Sequence, residues 1–302
     1  MQYKIGIDLG GTKIESAVLD SDNNILFRER IATQSHLGSE HILNQINIIY
    51  NMATDSIKNQ PHTLGIGTPG SISKDTQLLK NSNTLCLNGL PLKINIEKKL
   101  NKKLSIENDA NCFTLAEATL GAGKEYSCVF GVIMGTGCGG GFVFNKKLRT
   151  GPQYIAGEWG HSTIDLDGPN CYCKKNGCIE TYISGSGLEK IISNELNTKI
   201  SSYDFLNKDK FNIKEQQILN DFYRYFGLAL SNVINIIDPD IVIVGGGLSN
   251  HNGLYENGKR EIYKNIFSNV PTTPIIKNKL GDSAGVIGAA IIGKNKEQIC
   301  YK

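Results

Sequence analysis

Residues 151–182, GPQYIAGEWGHSTIDLDGPNCYCKKNGCIETY, concentrate side chains able to do chemistry. Three of the eight cysteines, Cys171, Cys173 and Cys178, fall within eight positions, and His161 stands ten residues before the first of them. One imidazole and three thiolates are a set typical of structural zinc, with no coordination position left open. The spacings C-x-C and C-x4-C are tighter than those of a zinc ribbon, so such a metal would clamp a loop. Glu158 lies just before the histidine and Glu180 just after the last cysteine. A closed metal site does no catalysis, and its expected work is to orient Glu158, His161 and Glu180. In a cytosolic chain, clustered cysteines are metal ligands more often than disulfides. Cys86, Cys112, Cys128, Cys138 and Cys300 stand alone in apolar or glycine-rich surroundings and read as small buried hydrophobes.

A second group of candidates sits where strands end. In Asp8-Leu9-Gly10-Gly11-Thr12-Lys13, two adjacent glycines let the backbone turn sharply and bring N–H groups against an anion, while Asp8 suits a hydrated cation. The Gly-Gly pair taken alone is more simply a plain hairpin. Asp109, in Glu107-Asn108-Asp109-Ala110-Asn111, lies at a strand-to-helix junction, where a lone acid reads first as an N-cap. The segments GIGTPG at 65–70 and GTGCGG at 135–140 satisfy G-x-G-x-x-G, but no helical pattern follows either one. Without that context the dinucleotide fingerprint carries no meaning. GAGK at 121–124 is no Walker loop, because Ala118 and Glu125 occupy its required glycine and hydroxyl positions.

The elements that must position these residues alternate between strand and helix. Three strands open the chain, with GGT and Asp22-Asn23-Asn24 as turns, and helical spacing then predicts a helix over 39–58 with Ser39 as its N-cap. A strand TLGIG leads into a long polar loop, followed by a helix near 94–100, a strand ending at Glu107 and a helix from about Ala110. Residues 126–150 read as strand, glycine turn and strand. Helices are expected at 180–195, 214–237 and 253–268, with Asp238-Pro239 as a stop and IVIV running into Gly245-Gly246-Gly247. AGVIGAAIIG closes the pattern as a small-residue helix. A strand running into a glycine turn thus recurs at Asp8, Gly135 and Gly245. The class is α/β, and 302 residues suit roughly two domains. With 20% charged residues and a net charge of +3, no nucleic-acid partner is expected. No apolar run reaches the ~18–20 residues of a membrane span, and a cytoplasmic location is expected.

Taken together, the Asp8–Lys13 run, Gly67-Thr68-Pro69-Gly70, the Glu107–Asn111 run, Gly135-Thr136-Gly137, Gly157-Glu158-Trp159-Gly160-His161, the cysteine run and Asp238-Pro239 with Gly245–Gly247 resemble the ROK family of repressors and sugar kinases. The stretches GTPGSIS, TLCLNG, GTGCGGG and CYCKKNGCIETYISGSG look most like its bacterial manno(fructo)kinase branch. Lys174 departs from the pattern, since many members carry glycine there. The resemblance implies two actin-like, ribonuclease H-like α/β domains with an interdomain cleft, residues 1–120 with a C-terminal helix at about 284–302 forming one and 121–283 the other. It further implies ATP-dependent phosphorylation of a hexose 6-hydroxyl, with fructose expected first and N-acetylglucosamine, N-acetylmannosamine or glucose as alternatives. Asp109 becomes the base. Gly70, Ser71, Asn83, Asn108, Asp109, Glu158, His161 and Glu180 are implied for the sugar. Gly10, Gly11, Thr12, Lys13, Gly135, Thr136 and Gly137 are implied for the phosphates of ATP, Gly245, Gly246 and Gly247 for its adenosine, and Asp8 for Mg2+. A homodimer holding structural Zn2+ is also implied. A sugar-sensing repressor needs an added helix-turn-helix, for which the strand beginning at Tyr3 leaves no room, and a dead sensor is expected to lack Asp109 or the glycine turns.

Overall fold

The computed structural model describes residues 3–293, so Cys300 and the part of the expected C-terminal helix beyond residue 293 lie outside the described residues. In chain order the elements are β1 (Tyr3–Leu9), β2 (Lys13–Leu19), β3 (Ile25–Ala32), α1 (Ser39–Ser56), β4 (His62–Thr68), β5 (Ser71–Ile72), β6 (Leu79–Lys80), α2 (Leu92–Leu100), β7 (Ser105–Asn108) and α3 (Asp109–Thr119). They continue with β8 (Cys128–Met134), β9 (Cys138–Phe144), β10 (Lys147–Arg149), α4 (Glu180–Ile183), α5 (Gly185–Leu196), α6 (Ser202–Leu206), α7 (Ile213–Ile237), β11 (Ile241–Gly245), α8 (Lys259–Asn265), β12 (Ile275–Lys277) and α9 (Ala284–Ile292). The described residues divide into two units, one of 3–116, 150–155 and 282–293 and the other of 117–149 and 156–281. The first boundary falls inside α3.

The first unit is built on a five-stranded sheet in the order β3-β2-β1-β4-β7. β1, β2 and β3 form an antiparallel meander, while β4 and β7 run parallel to β1. Its core joins Ile5, Ile7 and Leu9 of β1 to Ile42, Ile46 and Ile49, which recur at helical spacing on α1. On α9, small residues allow backbone to meet backbone: a Cβ on Gly6 would come 2.2 Å from the Val286 carbonyl oxygen, and one on Gly65 2.0 Å from that of Ala289. This close approach explains two glycines in the middle of buried strands.

The second unit repeats the plan, with the order β10-β9-β8-β11-β12. β8, β9 and β10 are antiparallel neighbours, and β11 and β12 run parallel to β8. The core packs Phe130 and Val132 of β8 and Val242 and Val244 of β11 with Phe222, Phe226 and Leu230 along α7. An Asn212–Glu215 capping box starts α7, and Asp238, in left-handed conformation at φ 49°, ends it. Lys146 closes the chain between α3 and β8: its ammonium donates to the carbonyls of Ala118 at 2.8 Å, Gly123 at 3.3 Å and Tyr126 at 3.2 Å, and to that of Lys124.

Several expectations are corrected. Gly38, at φ 90°, caps α1, and Ser39 is its first residue. The helix expected at 180–195 breaks into α4 and α5 at Ser184, whose hydroxyl accepts from the Gly187 amide at 3.0 Å. The segment expected as a helix at 253–268 begins as a π-turn over Leu254–Gly258 and reaches only Asn265. Cys86 is exposed rather than buried, because it sits on a short 3-10 turn at the surface, and Cys128 is only half-buried.

Candidate active site and metal centre

In the first unit the sheet brings two carboxylates together. Asp8 on β1 stands opposite Glu15 on β2 and Gly67 on β4, a lateral row that Arg30 on β3 extends as the partner of Glu15. The Asp8 carboxylate is closely boxed: a Cβ on Gly285 would come 2.6 Å from its Oδ2, and one on Gly67 3.4 Å from its Oδ1. Burial, with the charges of Asp109 and Glu15, pushes the Asp8 carboxyl up from 3.8 to about 7, and Arg30 opposes the shift. Buried Glu15 is paired, accepting from Arg28 Nε at 2.6 Å and Arg30 Nε at 3.0 Å. Asp8 is therefore the member of the row whose charge lacks a guanidinium of comparable closeness, and a bound cation would suit it.

The turn after β1 is closed by Gly10 N–H donating to the Lys13 carbonyl at 2.9 Å, and Thr33 Oγ1 donates to the Gly10 carbonyl at 2.7 Å. Neither Gly10 nor Gly11 takes the left-handed conformation, and the antiparallel pairing of Leu9 with Ile14 makes this a four-residue hairpin loop. Beside Gly11 lies the Thr84 hydroxyl, buried and without a hydrogen-bond partner among the described residues. At the other strand ends, Asn108 Nδ2 donates to the Gly70 carbonyl at 3.0 Å, and its Oδ1 accepts from Ala110 N–H at 2.9 Å. The strand thus runs one residue further than expected, and Asp109 opens α3 with its own Oδ1 accepting from the same amide at 2.8 Å. Glu107 Oε1 accepts from Asn108 N–H and Asn111 Nδ2, both at 3.0 Å, and burial raises its pKa. A cavity of about 130 Å³ is lined by Ser71, Ile72, Glu107, Asn108 and Tyr154 among others. Ser71 and Asn108 thus come together, whereas Asn83 is exposed and lines no part of it, nor does Asp109.

In the second unit two glycine turns follow the carboxyl ends of adjacent parallel strands, Gly135–Gly137 after β8 and Gly245–Gly247 at the end of β11. That is where open α/β sheets hold ligands. The first turn is fixed to the start of α5, the Gly185 amide donating to the Gly135 carbonyl at 2.7 Å and Ser186 Oγ to the Thr136 carbonyl at 2.7 Å. Glu180 Oε2 accepts from Cys138 N–H at 2.8 Å, so this carboxylate is anchored on the first residue of β9. The glycines of β9 serve a packing need: the segment around Trp159 lies across them, with Trp159 Nε1 donating to the Gly139 carbonyl at 3.0 Å and its ring edge-on to Phe130 at 5.6 Å. β9 also supplies the physical reason why GTGCGG opens no helix.

The four expected metal ligands converge. Side-chain ligand atoms of His161, Cys171, Cys173 and Cys178 all lie within 4.8 Å of one another. Cys173 Sγ is 3.5 Å from Cys178 Sγ, and Cys171 Sγ is 3.6 Å from His161 Nδ1. A tetrahedral ion with bonds of ~2.0–2.3 Å needs ligand separations of about 3.3–3.8 Å; these two pairs match that spacing, and a set spread over 4.8 Å could hold zinc after small side-chain shifts. Lys174 adopts φ 71°, the left-handed conformation that a glycine takes without strain. His161 Nε2 lies 2.9 Å from the Tyr172 hydroxyl, the two rings meeting edge-on at 5.0 Å. Partial desolvation of the phenol raises the Tyr172 pKa, and the carboxylates of Glu180 and Glu158 add to the shift. Glu158 is exposed, and its carbonyl accepts from the His161 amide at 3.2 Å. Sequence reasoning missed Tyr172, Glu15, Glu107 and Thr84. An aromatic between two ligand cysteines was the visible signal for the first, and hairpin register about Gly11 for the second.

A family model described as ROK family matches residues 4–296. An N-acetyl-D-glucosamine kinase of Histophilus somni is 33% identical over 302 residues, covering 95% of this chain and 97% of that one. Among solved structures, a ROK hexokinase from Thermus thermophilus superposes with a TM-score of 0.87 at 26% identity, covering 96% of this chain and 97% of that one. A ROK family glucokinase from Streptomyces griseus, solved in complex with glucose and AMPPNP, gives 0.80 at 26% identity and covers 96% and 99%. Among the described residues no helix is long and apolar enough to cross a membrane.

Proposed function

The chain belongs to the ROK family, and from that membership we propose that it is a sugar kinase carrying the terminal phosphoryl of ATP to the 6-hydroxyl of a hexose. The observation that carries this reading is the acidic corner of the first unit, where Asp109 opens α3 within the electrostatic field of Asp8. Asp109 accepts the proton of the attacking hydroxyl, which leaves late because the phosphoryl-transfer transition state is loose. Asp8 is the residue assigned to hydrated Mg2+, which, when bound with ATP, offsets the charge on the transferring phosphoryl. Gly10, Gly11, Thr12 and Lys13, together with Gly135, Thr136 and Gly137, are the residues assigned to the phosphates of ATP. Gly245, Gly246 and Gly247 are assigned to the adenosine. AMPPNP in the Streptomyces griseus glucokinase supports ATP as donor.

For the sugar, Gly70, Ser71, Asn83, Asn108, Glu158, His161 and Glu180 are the assigned contacts. Carboxylates with two acceptor oxygens suit vicinal hydroxyls, and a wrong sugar leaves one of them unpaired. N-acetyl-D-glucosamine comes first among candidate hexoses, because the Histophilus somni relative carries that name. Fructose, expected from the motif resemblance, has no support from the named relatives and follows it. The zinc set is assigned a structural role, and a cytoplasmic homodimer completes the reading. A panel of N-acetyl-D-glucosamine, N-acetylmannosamine, glucose and fructose with Mg-ATP, read by coupled ADP release, tests it. The expected result is turnover with at least one hexose and the highest kcat/KM for N-acetyl-D-glucosamine. ADP release at the no-sugar background with every hexose overturns the kinase reading.

A further inference from the structure

Tyr172 sits where a tyrosine placed for stability would not. It is 68% exposed, so its ring contributes little to the core, yet it is held in one place. Its two neighbours, Cys171 and Cys173, both belong to the candidate metal set, so a bound metal would fix its backbone from either side. Its hydroxyl is 2.9 Å from His161 Nε2 and its ring stands edge-on to the imidazole at 5.0 Å. With Nδ1 turned to the Cys171 thiol at 3.6 Å, a metal held on Nδ1 would leave the ring hydrogen on Nε2, which would then donate to the phenol oxygen. The phenol hydrogen then remains a donor for an incoming oxygen. Its surroundings are otherwise rich in acceptors, since Glu158 and Glu180 are both close enough to bear on the phenol electrostatically. Carboxylates read hydroxyl hydrogens but have nothing to offer a carbonyl or ether oxygen. The Tyr172 hydroxyl supplies that missing donor, and its flat ring limits the bulk admitted beside His161.

We infer that Tyr172 is a sugar-contacting residue that sets selectivity among hexoses, its hydroxyl donating to a sugar oxygen at the His161 end of the site and its ring bounding the substituent there. The inference rests on the sugar-kinase reading above, and calorimetric affinities separate the two. Full-length wild type, Tyr172→Phe and Tyr172→Ala are titrated with N-acetyl-D-glucosamine, glucose and fructose, with bound metal and thermal midpoint measured on each preparation. Loss of one neutral hydrogen bond predicts that Tyr172→Phe weakens the tightest-binding hexose about three- to tenfold, with metal content unchanged. Tyr172→Ala is expected to change the affinity ratio between N-acetyl-D-glucosamine and glucose by about tenfold or more. Affinities within about twofold of wild type in both variants, or tighter binding by Tyr172→Phe, overturn the inference. If wild type binds hexoses but releases no ADP, the kinase reading fails while the Tyr172 inference stands on the variant affinities. If wild type binds no hexose at all, both fall.

Discussion

Replacing Asp8 with asparagine should make the protein more stable at high pH while stopping its proposed chemistry. The Asp8 carboxyl is boxed by Gly67 and Gly285 and faces Asp109 and Glu15, so its pKa in the folded chain is about 7 against 3.8 for an unperturbed group. A raised folded pKa gives stability that is fully present below the unfolded pKa and is lost as pH rises through the folded one. Between about pH 4 and 7 the folded state holds a proton that the unfolded state has released, at a cost of ~1.4 kcal/mol per pH unit. In melts from about pH 5 to 9 only the interval up to 7 counts, which gives roughly 2–3 kcal/mol. Asparagine is of similar shape and does not ionise. The stability of Asp8→Asn relative to wild type should therefore grow by roughly 2–3 kcal/mol across that range and level off above about pH 8. For domains of 150–250 residues this corresponds to a relative Tm gain of roughly 4–12 °C, readable by scanning calorimetry without added Mg2+. Mg2+ with ADP should shrink the difference, because a cation beside Asp8 favours the carboxylate. A difference independent of pH, or one that falls as pH rises, refutes the account of Asp8.

Asp109→Asn is expected to lower kcat about 10²- to 10⁴-fold while hexose affinity by calorimetry stays within a few-fold; a fall in kcat smaller than about tenfold removes Asp109 as the base. Cys178→Ser should release the metal and lower the thermal midpoint, measured by elemental analysis and melting, and wild-type metal content with an unchanged midpoint would dismiss the assigned set. Lys146→Met leaves the carbonyls of Ala118, Gly123 and Tyr126 without their shared donor. It should cost about 1–3 kcal/mol in urea unfolding and leave hexose affinity alone, so an unaltered unfolding midpoint would deny that cap its role.

Much of this architecture is written in short-range periodicity. Alternation over residues 3–32 and helical spacing at Ile42, Ile46 and Ile49 locate β1, β2, β3 and α1 without reference to anything distant. The convergence of His161, Cys171, Cys173 and Cys178 was legible too, because their types are rare and their spacing is short. Where two small residues compete for one role, pattern fails: Gly38 rather than Ser39 caps α1, and nothing local says which hydroxyl in Ser184-Gly185-Ser186-Gly187 breaks the helix. Long-range pairing hides the rest. Glu15 is seen as paired only once β3 carries Arg28 and Arg30 to it, and Tyr172 acquires a partner only when the loop folds back on His161. The long polar loop after β4 conceals the β5–β6 hairpin because each of its strands has only two residues.

The placement of α9 on Gly6 and Gly65 has a consequence in time. Ribosomes deliver β1 and β4 early, but the helix that covers them is encoded after the whole of the second unit. At translation rates of about 5–20 residues per second, the interval between residues 116 and 282 lasts roughly 8–33 seconds. Throughout it, the strand face around Gly6 and Gly65 stays open to solvent, chaperones and neighbouring nascent chains. The unit begun first is the one completed last.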